Sequence, residues 1–370
     1  MKYLYIDDDS NDRTEGTVQG FNKDNYIEII FSLPQSSWEA QIHFINEKEK
    51  EDKLDGLILD LRLDDYPNLE HKKANFRGTS LAQEIRTRQK EGILKPFPVV
   101  LFSGNDKVVN SLENSGKDLF DICIEKEIID DTTYIPYRYK LYALADGYKI
   151  ISKSDLNLSD ILNVDIKIID DRFLSELNNL SGYPTHVIAR FILNELIEKQ
   201  GPLIDESILA ARLGVDKSRS TDWDKIIESL SFSKYSGVFS SGWSRWWMPM
   251  VEQWWVESIN STSYLRSTPA SERVKLINEK LGITNIFPSD RIEKSDSEEY
   301  WTVCKGYYRP LDPVDGLIIY GQENLYPWQD SEYVSIDAAL RRKNVDSWKK
   351  VAKIEEERLN ELQVQFKRPR

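Results

Sequence analysis

Five short apolar runs, separated by stretches with helical spacing, most constrain how the first 130 residues can fold. They read YLYI, YIEIIFSL, DGLILDLRL, FPVVLFSG and DICIEK and begin at residues 3, 26, 55, 97 and 121. Such runs, bounded by polar residues, are typical of strands buried on both faces. The pattern predicts an α/β domain with a five-stranded parallel sheet between layers of helices, closed by a helix over residues 134–151.

Polar residues stand at the carboxyl ends of four of these strands, the edge where open parallel sheets bind ligands. They are Asp7, Asp8 and Asp9 after the first run, Asp60 in the third, Ser103 ending the fourth and Lys126 ending the fifth. Carboxylate oxygens suit a hard cation such as Mg²⁺, and a carboxylate beside such a cation can accept a phosphoryl group. Asp9 is instead interpreted as the acidic start of the next helix.

The motifs YIDDDSNDR, LILDLRL, VVLFSG and CIEK resemble the signature strand ends of the response-regulator receiver domain. The resemblance covers roughly residues 1–150, and the receiver domain is predicted to span residues 1–153. It implies a flavodoxin-like fold with Mg²⁺ as cofactor. It implies that Asp60 is the phosphoacceptor, that Ser103 and Lys126 hold the phosphoryl oxygens, and that a histidine kinase or a phosphotransfer protein is the donor. The metal ligands it implies are Asp7, Asp8, Asp60 and the backbone carbonyl of Arg62. No enzyme activity is expected beyond phosphotransfer and self-dephosphorylation.

Three features depart from that family pattern. Cys123 stands where the family usually has an aromatic residue, and Glu127 stands where a proline often follows the lysine. An insert, Asp64–Gly78, replaces a short turn and is expected to overhang Asp60. It is either a tolerated surface loop or a lid that recognises a partner through Lys72, Lys73 and Arg77.

Residues 154–270 are predicted to form a helical domain resembling a winged helix. The segments 206–215 and 221–230 outline a helix-turn-helix, and SGVFSSGWSRWWMP is a candidate wing. Asp222, Asp224 and Glu228 on the second helix disfavour DNA binding, because phosphates repel them. Residues 271–370 are predicted to be an α+β segment that ends in a long helix over VDSWKKVAKIEEERLNELQVQF.

The tryptophans of the middle region allow two interpretations. Trp243, Trp246, Trp247, Trp254 and Trp255 either form the core of their domain or are exposed anchors for a partner protein.

Composition bears on the partners and the cellular compartment of the protein. The formal charge is −13, which again disfavours nucleic acid, and the two cysteines have no partner motif. No apolar run approaches the roughly 20 residues of a membrane helix. Together with the resemblance to the receiver domain, these features predict a cytoplasmic response regulator that acts through protein contacts, with a downstream protein partner and a homodimer as expected assemblies. The alternatives are a DNA-binding regulator of winged-helix type and a phosphate sink whose second half is a docking platform.

Overall fold

A computed structural model describes residues 1–10, 12–23, 26–104, 118–129, 133–259 and 262–367. Two compact units divide the chain. The first comprises residues 1–164, 175–193 and 236–243, and the second comprises residues 165–174, 194–235 and 244–370. The predicted boundaries after residues 153 and 270 stay predictions. None of the described helices is long and apolar enough to cross a membrane.

The first unit contains the predicted five-stranded parallel sheet, in the order β2-β1-β3-β4-β5. Its strands are β1 (Lys2–Ile6), β2 (Glu28–Ser32), β3 (Gly56–Leu59), β4 (Val99–Ser103) and β5 (Ile122–Glu125). This strand order is the flavodoxin-like one, and every residue of β3 and β4 is buried. The fold class predicted for the first unit is therefore confirmed.

Helices connect and flank these strands. They are α1 (Asp12–Asn22), α2 (Trp38–Asp52), α3 (Gly78–Lys90) and α4 (Tyr134–Lys153). Three helices follow in the chain: α5 (Leu158–Leu162), α6 (Asp171–Asn178) and α7 (Thr185–Ile192). Apolar side chains of α2 and α3 pack against the inner strands in one cluster, which includes Leu57, Leu59, Ile85 and Leu101. This burial fixes the carboxyl ends of β1, β3 and β4 side by side.

The second unit is helical with small antiparallel ladders. Its helices are α8 (Glu206–Leu213), α9 (Trp223–Ser229), α10 (Met248–Glu257), α11 (Ala270–Leu281), α12 (Ile336–Arg341) and α13 (Glu356–Lys367). The paired strands are β6 (Leu203–Ile204) with β7 (Trp246–Trp247), β8 (Thr302–Val303) with β9 (Pro310–Leu311), and β10 (Gly316–Ile318) with β11 (Tyr333–Ser335). A helical region followed by a mixed one agrees with the predicted fold class.

The two helices of the predicted helix-turn-helix are present, and an antiparallel bridge between Lys234 and Trp246 closes the segment of the predicted wing. Asp205 caps α8 by accepting a hydrogen bond from Ile208 N at 2.8 Å, and Gly214 ends it with φ of 75°. Tyr235 N donates to the Arg245 carbonyl at 2.9 Å beside this bridge, and Trp246–Trp247 also pairs with Leu203–Ile204. The wing therefore stays a prediction that the local pairing supports.

The tryptophans belong to the cores, so the prediction of exposed anchors is wrong for them. Trp246, Trp247, Trp254 and Trp255 are each at most 2% exposed in the second unit, and Trp243 is 5% exposed in the first. Trp246, Trp254 and Trp255 lie together in the apolar core of the second unit.

The C-terminal helix is shorter than predicted, since it begins at Glu356 and not at Val345. Asn344 and Lys349 have φ of 46° and 57°, in the left-handed region that a helix cannot continue through. Trp348 and Val351 are buried in a turn and a bridge, where Trp348 Nε1 donates to the Lys343 carbonyl at 2.8 Å. The helical spacing of Trp348 and Val351 therefore reflects their burial in irregular structure and does not indicate a helix.

Candidate functional site

Asp7, Asp60 and Lys126 meet at the carboxyl edge of the sheet. Asp7 follows β1 and Asp60 follows β3, its neighbour, with Asp60 N donating to the Ile6 carbonyl at 3.0 Å. Lys126 follows β5 and reaches both carboxylates, with Nζ 2.5 Å from Asp7 Oδ2 and 2.6 Å from Asp60 Oδ1. The structure therefore brings together three of the residues predicted from the sequence.

Burial sets the electrostatics of this cluster. It raises the pKa of Asp60 to about 6, although the Lys126 ammonium opposes the shift, and the neighbouring Asp7 charge adds to it. Burial disfavours the Lys126 ammonium, but the charges of Asp60 and Asp7 outweigh this effect and raise its pKa. One ammonium between two buried carboxylates thus leaves an excess of negative charge, which an added cation would relieve.

Asp8 contacts the backbone of the insert. Its Oδ2 accepts hydrogen bonds from the amides of Asp65 and Tyr66, both at 2.7 Å. Burial raises the pKa of Asp8, and these two hydrogen bonds oppose the rise. The sequence predicted an insert above Asp60, but nothing in its side chains indicated that its amides would hold a predicted metal ligand.

The predicted cationic side chains of the insert are exposed. Lys72 pairs with Glu70 at 3.0 Å, and Arg77 Nε lies 3.3 Å from Asp64. The insert is anchored instead by buried Leu63, Ala74 and Phe76, which join the apolar core of the sheet. Its position beside the site is therefore fixed by packing.

Gly78 closes the insert against the site. A Cβ atom at this position would lie 2.1 Å from the Asp60 carbonyl oxygen, and Gly78 N donates to the Leu61 carbonyl at 3.1 Å. Only glycine permits this close approach of helix α3 to the strand end that carries Asp60.

Tyr5 is a site residue that the sequence reasoning missed. Its hydroxyl donates to Asp7 Oδ2, and its buried ring makes edge contacts with Phe31 and Phe102 at centroid distances of 5.6 and 5.5 Å. The alternation of β1 could have revealed it, because residues 5 and 7 point to the same side of a strand.

The remaining predicted residues lie at the same edge. Ser103 is buried at the end of β4, the strand between β3 and β5. Arg62 N donates to Asp60 Oδ2 at 2.6 Å, and its guanidinium pairs with Asp64 and Asp65. Cys123 is exposed on β5. The metal role predicted for the Arg62 carbonyl stays a prediction.

The donor chemistry of the site suits Mg²⁺, because the carboxylates of Asp7, Asp8 and Asp60 are hard oxygen donors at one edge of the sheet. Among the residues that the structure describes, however, no three carboxylate, histidine or cysteine side chains already converge as a ligand set. Lys126 lies between Asp7 and Asp60, and Asp8 is bound to the insert.

The strand order defines the first unit as a flavodoxin-like α/β domain, and its polar edge is the edge at which such domains bind ligands. Solved structures similar to the chain are NtrX from Brucella abortus (17% identity, 48% of this chain, 34% of that chain, TM-score 0.31) and a two-component response regulator from Clostridium difficile (21%, 37%, 93%, 0.25). A third is the Mn²⁺-bound form of response regulator Rcp1 (17%, 40%, 91%, 0.24).

This chain spans about a third of the length of the NtrX structure. The C-terminal half of the chain is not matched. No protein-family model and no curated protein sequence matches the chain.

Proposed function

We propose that the protein is a response regulator that accepts a phosphoryl group on Asp60 from a histidine kinase or a phosphotransfer protein. The observation that carries the proposal is the buried Asp60 carboxylate, 2.6 Å from the Lys126 ammonium at the carboxyl edge of a 2-1-3-4-5 sheet. An Asp60 oxygen forms the new bond to phosphorus, and the bond from phosphorus to the donor imidazole nitrogen breaks, leaving its electron pair on the imidazole. We propose no catalytic activity beyond this transfer and the later hydrolysis of the aspartyl phosphate.

Mg²⁺ is the proposed cofactor, held by Asp7, Asp8, Asp60 and the carbonyl of Arg62, and it would neutralise charge on the phosphoryl oxygens. Binding of Mg²⁺ to Asp7 requires the Lys126 ammonium to leave that carboxylate, and the ammonium can then bind a phosphoryl oxygen. Ser103, at the end of the neighbouring strand, can donate its hydroxyl to another phosphoryl oxygen. We propose that the phosphorylated site signals through protein contacts of the second half.

Beryllofluoride, a stable mimic of the phosphoryl group, tests the proposal. Calorimetric titration in the presence of Mg²⁺ should give saturable binding to the wild type and no binding to Asp60→Asn or Asp8→Ala. Glu39→Gln, an exposed carboxylate on α2, is the matched control and should bind like the wild type. Unchanged binding in either site variant would remove the phosphoacceptor role from these residues.

A further inference from the structure

A strongly basic segment stands out from the acidic surface of the second unit. Residues 341–353 carry six Lys or Arg and one Asp, a net charge of +5, whereas the whole chain carries −13 and the remaining residues therefore −18. All six cations are exposed: Arg341, Arg342, Lys343, Lys349, Lys350 and Lys353. We call these six residues the basic rim.

The backbone of this segment is held in an unfavourable conformation. Arg342, Asn344 and Lys349 have φ of 52°, 46° and 57°, in the left-handed region that non-glycine residues seldom adopt. Buried Trp348 anchors the segment, and Asn344 Nδ2 donates to the Gly306 carbonyl at 2.7 Å. The strained turns keep the cations on the surface around a fixed aromatic anchor.

The basic rim borders a cavity of about 530 Å³. Arg341, Arg342, Lys349, Lys350 and the nearby Lys294 line its edge. Its apolar lining comes from α12, the basic segment and α13: Ala339, Leu340, Trp348, Val351, Leu359 and Phe366. An apolar floor inside a charged rim is the anatomy of a protein-binding site.

Some of these cations already have acidic partners. Lys294 and Arg341 bind the buried Asp337 and the exposed Glu293, and Glu356 also lines the cavity. Within the described part of the chain, no carboxylate lies within ion-pair distance of Arg342, Lys343, Lys349 or Lys353. Four positive charges of the basic rim are thus available to an acidic ligand.

We propose that this cavity binds an acidic segment of a partner protein that inserts one apolar side chain between flanking Asp or Glu residues. Charge complementarity with the basic rim selects an acidic partner, and the concave apolar floor selects one that carries a side chain to bury. Single-stranded nucleic acid fits less well, because Trp348 is only 6% exposed, which leaves Phe366 as the exposed ring of the lining, whereas binding of successive bases needs several exposed rings. The inference goes beyond the phosphoacceptor function and does not depend on it.

Fluorescence polarisation with labelled peptides of about 15 residues tests the inference at about 0.15 M salt. One peptide places several Glu around a central Leu or Phe, and its matched control has Ala at the centre. The full-length protein should bind the Leu or Phe peptide about tenfold more tightly than the Ala peptide. The double variant Arg342→Glu and Lys349→Glu should weaken binding of both peptides about tenfold or more.

A floor variant and a surface control complete the test. Phe366→Ala removes a ring that is already 47% exposed, and it should weaken the Leu or Phe peptide while leaving the Ala peptide unchanged. Lys72→Glu with Lys73→Glu, exposed in the first unit, should change neither affinity.

Three outcomes would each overturn the inference. The first is equal binding of the Leu or Phe and Ala peptides, and the second is tighter binding of an oligothymidylate of equal charge through the same residues. The third is self-association by sedimentation that the rim variant abolishes, because the occupant would then be a second copy of the chain.

Discussion

At the scale of single residues, Tyr5 and Tyr3 form a matched pair on β1. Both hydroxyls are hydrogen-bonded in the interior, Tyr5 to the Asp7 carboxylate and Tyr3 to the Leu141 carbonyl at 2.6 Å. Both side chains are at most 2% exposed. Only Tyr5 touches the candidate site, so the pair separates an effect on the site from an effect on folding.

Tyr5→Phe should weaken Mg²⁺ binding by about tenfold, because a hydrogen bond that orients a ligand carboxylate tunes its affinity for the metal. Tyr3→Phe should lower the free energy of unfolding by about 1 kcal/mol and leave the Mg²⁺ affinity unchanged. Titration calorimetry and urea unfolding measure the two effects. Equal Mg²⁺ affinities in the two variants would show that Tyr5 has no positioning role.

His186 on α7 makes the stability of the first unit depend on pH. Burial lowers its pKa to about 4, and Arg86 and Arg190 add to this effect while Asp121 opposes it. The folded pKa lies below the unfolded value, so protons favour the unfolded state. The contribution is fully present above about pH 6.5 and is lost as the pH falls towards 4.

The imidazole is partly exposed and therefore screened, so we expect a loss of about 1 kcal/mol between pH 7 and pH 5. Urea unfolding at both pH values should show that His186→Gln lacks this component. The exposed His43→Gln on α2 should keep it. Identical pH dependence in His186→Gln and the wild type would assign the acid sensitivity to other groups.

At the scale of elements, the approach of α3 to β3 depends on one missing methyl group. Gly78→Ala should destabilise the protein by about 1–3 kcal/mol, because its Cβ would overlap the Asp60 carbonyl oxygen. Gly16→Ala is the control: no atom would lie within 4 Å of a Cβ atom at that position, and alanine favours the helix by about 0.5–1 kcal/mol. Urea unfolding compares the two, and a neutral Gly78→Ala would show that α3 can shift freely.

The parallel sheet could be predicted from the sequence because each buried strand carries its own apolar signal. The meeting of Asp7, Asp60 and Lys126 followed from it, since parallel strands end at one edge. The predicted C-terminal helix was too long, because Trp348 and Val351 have helical spacing. The left-handed φ of Lys349 could not be predicted, because a lysine gives no indication of that conformation. The hydrogen bonds from the amides of the insert to Asp8 could not be predicted, because every residue except proline carries the same backbone amide.

At the scale of the whole molecule, the negative net charge weakens the affinity for DNA, because it repels the phosphates. The candidate reading helix α9 exposes Asp224 and Glu228, and the chain carries −13. We expect duplex DNA to bind without sequence preference and with a Kd weaker than about 1 µM at physiological salt.

Electrophoretic mobility shifts over a salt series measure this affinity. Asp224→Asn with Glu228→Gln should strengthen the non-specific binding modestly, because two repulsions are removed. A nanomolar complex that selects one sequence would instead support the DNA-binding alternative.

The amides of Asp65 and Tyr66 that bind Asp8 have a consequence for how this protein can diverge. Main-chain donors are supplied by any residue except proline, so the contact with Asp8 does not depend on which side chains stand at these two positions. A deletion between residues 63 and 78 would shift the donors away from the carboxylate, because Leu63 and Gly78 fix both ends of the path. We therefore expect related sequences to vary the residue types at positions 65 and 66 while keeping the number of residues between Leu63 and Gly78.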